Sequence, residues 1–159
     1  MNYKSVSILL AAGILGWSHA GKAGESLDET LKELQNLPSD INAIYQYGHK
    51  AANLSELDIK SINVVVDQAC KEGNHKVCLN GLYALATTAF FKSDRSKEVI
   101  LFNQILTNPH FKAEPAYAKI EETIKKTFSE YKDILTGKVP HKHLKVTEEA
   151  RKILENYKG

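Results

Sequence analysis

Apolar residues recur at three- and four-residue intervals along most of the chain, and the pattern breaks only at proline, glycine and short polar clusters. Leu27, Leu31 and Leu34 share one helical face behind a Ser26–Glu29 capping box, and Leu37-Pro38 ends that helix. A second helix starts at Ser39 or Asp40 and turns Ile41, Ile44, Tyr45, Gly48 and Ala52 to one side, before a turn at Asn53–Ser55. The third runs from about Glu56 to Lys71 with Ile59, Ile62, Val65, Val66 and Ala69 inward. Its β-branched cluster Val64–Val66 is compatible with a strand, but polar flanks at helical spacing favour a helix.

The fourth segment, about His75–Phe91, breaks the amphipathic rule. From Val77 to Phe91 it carries no charge, so it reads as a helix buried on most faces. After a polar turn at Ser93–Ser96, Lys97–Thr107 forms a fifth helix with Val99, Ile100, Leu101, Phe102, Ile105 and Leu106, and Asn108-Pro109 stops it. Pro115 suits the first turn of the longest helix, which carries Tyr117, Ile120, Ile124, Phe128, Tyr131 and Leu135 in register. Gly137–Lys145 is a basic loop without an apolar pattern. Thr147 caps a last helix with Ala150, Ile153, Leu154 and Tyr157 facing in. The expected fold is all-α: about seven helices in stacked antiparallel hairpins or an irregular helical bundle.

Both cysteines flank the corner between the third and fourth helices. Gly73 can end one helix in the left-handed conformation and Asn74 can cap the next, which places Cys70 and Cys78 on either side of an αα-hairpin. The pair is a candidate disulfide.

The N-terminus adds a compartment. A single lysine, Lys4, precedes the apolar run Val6–Trp17, and Ser18-His19-Ala20 has the small-x-small pattern of a cleavage site. The run is short for a membrane span. Residues 1–20 read as a signal peptide cleaved after Ala20, with Ala23 as the second choice, leaving 21–159 as one helical domain that is periplasmic or secreted. Cleavage removes one lysine and no acid from 21 basic and 19 acidic residues, leaving a formal charge of +1. Such a balance argues against nucleic-acid or membrane-surface binding. An oxidising compartment favours pairing of Cys70 with Cys78.

The string Ala69-Cys70-x-x-Gly73 through Cys78-x-Asn80-Gly81-Leu82-Tyr83 resembles the repeat junction of the cysteine-rich Sel-like repeat proteins, relatives of the tetratricopeptide repeats. In that family a cysteine pair closes each helical hairpin. The segment from Ala89 through Phe102 to Asn108-Pro109 is loosely similar to the second half of a tetratricopeptide unit. The chain has no second cysteine pair. The resemblance implies stacked helical hairpins and a protein-binding scaffold; some members are associated with β-lactam binding or hydrolysis.

Candidate chemistry is sparse. His75 between the cysteines offers a third local metal ligand, short of the four that zinc takes. His141 and His143 could form a weak metal clip in the basic loop, although nearby acids are few. No Gly-x-Ser-x-Gly, His-Glu-x-x-His or phosphate-loop motif is present. The expectation is therefore an exported, non-catalytic module that binds another exported protein, without a cofactor; an inhibitor or immunity-type protein is its narrower form. Tyr47, beside the second helix's stripe, and the rim His141-Lys142-His143 are the candidate partner contacts. The alternative is a small-ligand carrier or a periplasmic hydrolase, β-lactam or cell-wall related. A cavity lined by Phe90, Phe91 and Phe102 would favour the carrier.

Overall fold

The uncharged segment is the axis of the molecule. The computed structural model describes residues 27–140 and 142–159. It contains helices α1 (Leu27–Asn36), α2 (Ile41–Ala51), α3 (Glu56–Lys71), α4 (His75–Phe91), α5 (Arg95–Thr107), α6 (Tyr117–Leu135) and α7 (Glu148–Asn156). A 3-10 turn, Pro109–Ala113, lies between α5 and α6. The chain is thus all-α, with no strand among the described residues. The signal segment, both cleavage sites, Ser26 and His141 lie outside the described residues.

Every residue of α4 from Val77 to Ala89 is buried. Covering a helix on all sides takes several partners, and α2, α3 and α5 each pack along it, with α1 and the 3-10 turn closing its start. The more amphipathic α6 and α7 complete the bundle against α5. Two glycines set how closely α4 is approached. A Cβ on Gly81 would run into the Cγ2 of Val66 on α3. A Cβ on Gly48 would stand 2.5 Å from the Ala84 carbonyl oxygen and 2.6 Å from Thr87 Cβ on α4. The contact at Gly48 also brings its carbonyl within 3.0 Å of Thr88 Oγ1, which donates both there and to the Ala84 carbonyl. A buried hydroxyl is thereby satisfied across the helix interface.

The corners on either side of α4 share one construction. At the first, the Asn74 N–H donates to the Ala69 carbonyl and the Gly73 N–H to that of Cys70, with Gly73 at φ 75°. At the second, Asp94 donates to Ala89 and Ser93 to Phe90, with Ser93 at φ 60°. These are Schellman closures, which satisfy the last carbonyls of a helix. Asn74 and Asp94 then accept, through their side chains, from Val77 N and Lys97 N, so each also caps the next helix. One residue thus ends one helix and begins another, which turns the chain back on itself within three residues.

Cys70 and Cys78 form a disulfide across the first corner, with their Cα atoms 4.8 Å apart. Closing a loop of this size removes unfolded-state entropy equivalent to about 2.5 kcal/mol. Both sulfurs are used in this bond, so a metal site built from them and His75 is excluded. The imidazole of His75 instead stacks on His110, 4.9 Å away and 8° from parallel.

Several details differ from the sequence reading. Helix α5 begins at Arg95 rather than Lys97, because Asp94 caps it. Pro115 lies before the N-cap of α6, Ala116, and not inside its first turn. In α2, Ile44 and Gly48 are buried as expected, but Ala51 takes the inward place expected of Ala52 and Tyr45 turns outward, since adjacent helix positions point about 100° apart. The basic loop is anchored: Leu144 and Val146 pack on the core, and Thr147 N donates to Ser96 Oγ at 2.7 Å. As expected, by contrast, the Val64–Val66 cluster is helical with Val65 and Val66 in, and Val64 is exposed.

The glycine contact yields a direct test. Gly81→Ala should cost about 1–3 kcal/mol by overpacking against Val66. In a Val66→Ala background the same change should cost at least about 1 kcal/mol less, as expected for directly coupled sites. Urea unfolding of the two single variants and the double variant measures this; strictly additive losses would show that Gly81 does not set the α3–α4 distance.

Candidate functional site

The cover over α4 ends abruptly. Ala89 is 4% exposed, but Phe90 and Phe91, in the last turn, are 39% and 38% exposed. Tyr45, on the neighbouring α2, is 38% exposed. Among the described residues only Leu54 and Val64 are also large, apolar and exposed, so three of these five side chains lie together. Isolated exposed apolar residues need no explanation, but a contiguous group marks a surface with a use.

The rings form a connected set. Phe91 meets Tyr45 edge-on at 5.6 Å, Phe90 edge-on at 5.3 Å, and the tilted imidazole of His49 at 4.4 Å. Tyr45 and His49 are one helical turn apart on α2, which is why both reach the same ring. The guanidinium of Arg95, first residue of α5, lies 4.1 Å from the centre of the Phe90 ring. It also donates to the Phe90 carbonyl at 3.2 Å and to Glu98 Oε2 at 3.1 Å. The patch therefore joins the ends of α2 and α4 to the start of α5.

Beneath Arg95 lies a buried acid. Glu98 is 3% exposed and its Oε2 also accepts from the Tyr131 hydroxyl of α6 at 2.7 Å. Burial raises its pKa above the usual carboxylate value, against the opposing hydrogen bond of Tyr131 and the charge of Arg95. Tyr131 is raised in turn, by burial first and then by the Glu98 carboxylate. Nearby Tyr83 is pushed up to about 12, chiefly by burial and next by Tyr45, while a hydrogen bond with Thr123 pulls it down. A perturbed acid can signal catalysis. Here Glu98 is engaged by two donors and sealed under Arg95, an arrangement that fixes the rim of the patch.

On the other flank, Lys92 pairs with Glu56 at 2.8 Å. The hydrogen bond and charge of Lys92, followed by Lys97 and Lys60, hold Glu56 below the usual carboxylate range. One exposed acid thus pairs with Lys92 and lies in the field of two further lysines.

Of the positions singled out in the sequence, Tyr47 falls elsewhere. Tyr47 is half-buried against the core on the opposite side of α2 from Tyr45, lining a groove of about 410 Å³ with Leu37, Pro38, Lys50 and Leu54. Lys142 and His143 are exposed. Phe90, Phe91 and Phe102 do not line a common cavity: Phe102 is in the core between Tyr83, at 6.0 Å, and Phe128, at 6.3 Å. Among the described residues no cluster of three or more His, Cys, Asp or Glu side chains could hold a metal. Sequence reasoning placed Tyr45, Phe90 and Phe91 inside. The available signal was position: Phe90-Phe91 directly precede the Lys92-Ser93-Asp94 corner, where neighbouring helices no longer supply cover.

Comparison with protein-family models, curated proteins and solved structures finds no match to this chain.

The Glu98 linkage has a definite sign. Because its folded pKa is raised, Glu98 contributes stability that is fully present below the unfolded carboxylate pKa and is lost as pH rises through the folded value. The stability of the wild type relative to Glu98→Gln should therefore fall as pH increases across that interval. Denaturant unfolding of both proteins over a pH series measures it, and a difference that grows with pH would contradict the assignment.

Proposed function

We propose that this chain is an exported, non-catalytic module that binds another exported protein, with the patch of Tyr45, His49, Phe90, Phe91 and Arg95 as its principal contact. The single observation that carries this reading is the contiguity of three exposed aromatic rings on an otherwise well-covered bundle. Interface anchors are enriched in aromatic residues and arginine, which bury large areas with few rotatable bonds. Export is supported by the N-terminal pattern of Lys4, Val6–Trp17 and Ser18-His19-Ala20, and by the Cys70–Cys78 bridge. No helix among the described residues is long and apolar enough to cross a membrane. The Sel-like resemblance of the bridged corner points to the same scaffold role. An inhibitor or immunity-type protein is the narrower form, in which the partner is an enzyme met outside the cytoplasm. Tyr47 and the segment of His141, Lys142 and His143 would be secondary contacts.

The test is photocrosslinking in the native host, with a benzophenone side chain in place of Tyr45 and a control probe in place of Lys112, which is exposed on the 3-10 turn. The expected outcome is one discrete product from position 45, identified by mass spectrometry, absent from the control and abolished by Phe91→Ala. A product that Phe91→Ala leaves unchanged, or turnover of a β-lactam or cell-wall substrate by the purified protein with no product at all, would overturn the proposal.

A further inference from the structure

Beside the bridged corner, two imidazoles from separate elements lie against one another, and the binding role leaves them unused. We propose that His75 and His110 form a two-imidazole site for a divalent first-row transition metal, with copper(II) held most tightly. Their ring centroids are 4.9 Å apart and their planes 8° from parallel. A metal bound by two imidazole nitrogens at about 2.0–2.1 Å, with roughly 90–110° between the bonds, sets the ring centres about 4.5–5.2 Å apart. The observed spacing lies within that interval. Neither ring has a hydrogen-bond or ionic partner among the described residues, so each has a nitrogen free to coordinate. The torsion that turns a histidine ring is soft, and rotating the two rings brings one lone pair of each toward a shared ion.

Both positions are held before an ion arrives. His75 is the first residue of α4, beside the Asn74 cap and one turn from Cys78, whose bond to Cys70 closes the corner. His110 follows Pro109 on the 3-10 turn; its N–H donates to Asn108 Oδ1 at 3.0 Å, and the neighbouring Phe111 is fully buried. Phe111 also meets the His75 ring edge-on at 6.4 Å. With both ligands in place, the second imidazole joins a bound ion at a high effective concentration. His110 is exposed and His75 half-buried, which leaves the remaining coordination positions to water. No third His, Cys, Asp or Glu completes the set among the described residues. Two neutral nitrogen donors suit copper, nickel and zinc rather than magnesium or calcium, and the Irving–Williams order puts copper(II) first. Of the charged neighbours in sequence, Lys76 donates to the Gln35 carbonyl of α1 at 2.9 Å, while Lys71, Glu72 and Lys112 are exposed. The positive end of the α4 dipole opposes a cation, but weakly beside two metal–nitrogen bonds. An ion held here ties the α3–α4 corner to the turn between α5 and α6.

The experiment is a calorimetric titration of the untagged exported protein with copper(II), then with nickel(II) and zinc(II), with thermal unfolding recorded in parallel. The wild type should take up copper at this site more tightly than nickel or zinc, and copper should raise its melting temperature. His75→Ala and His110→Ala should each weaken copper binding at least about tenfold. The double variant should be no weaker than either, because one imidazole alone gains nothing from chelation. His110 is exposed, so removing its ring should leave the fold intact, which circular dichroism of the metal-free variant checks. A variant carrying His141→Ala and His143→Ala should bind copper as the wild type does. Unchanged affinity in the His75→Ala, His110→Ala double variant, losses that add across the two positions, or a loss that follows His141 and His143 instead would overturn the site. So would the absence of any copper binding. None of these outcomes bears on the aromatic patch, whose role the photocrosslinking tests separately.

Discussion

A stretch of helix without charge, such as Val77–Phe91 of α4, has no face that water favours, and α4 can exist in this molecule only because its neighbours come close enough to cover it. The approach is controlled at two points where a single methyl group would not fit: Gly81 under Val66, and Gly48 over Ala84 and Thr87. Small residues at these contacts bring backbones together, so dispersion contacts and a cross-helix hydrogen bond from Thr88 to the Gly48 carbonyl become available. The positions of α2 and α3 depend on this fit, and α5 covers the remaining face.

The corners constrain what the packing can choose. With Asn74 and Asp94 each closing one helix and capping the next, α3, α4 and α5 are joined by three-residue connections that allow few arrangements other than adjacent packing. The disulfide adds a covalent limit at the first corner. The second has no such bond, and its left-handed position is occupied by Ser93, a residue that carries a Cβ clash glycine would not. Its stabilisation comes instead from Arg95, which ties the Phe90 carbonyl and ring to Glu98, and from Tyr131 beyond it.

Much of the fold was legible because helix boundaries depend on local chemistry. The bounds of α3 and α4, the caps at Asn74 and Thr147, and the pairing of the cysteines depend on residues within a few positions of one another. The 3-10 turn was missed because Pro109 marks where α5 must stop and carries no signal for the conformation of the next few residues. The candidate site was largely illegible for a different reason. Whether Tyr45, Phe90 or Phe91 is covered depends on how far a neighbouring helix extends past it, and no periodicity within one helix reports that. Glu98 was equally hidden: its partner Tyr131 lies 33 residues away on another helix. Conversely, Tyr47 looked peripheral on its own helix, yet it packs against the core and lines a groove beside Pro38 and Leu54.

The aromatic patch is then a consequence of geometry at the end of the axis: cover over α4 stops at Ala89, and the two phenylalanines beyond it complete a surface with α2 and α5. Everything rests on α4 being the enclosed element. Native-state amide hydrogen exchange tests this most directly. Amides from the middle of α4, around Leu82–Ala86, should exchange only through global unfolding and be the slowest in the protein. Exchange of those amides through local opening, faster than that of the amides of α6, would contradict the account.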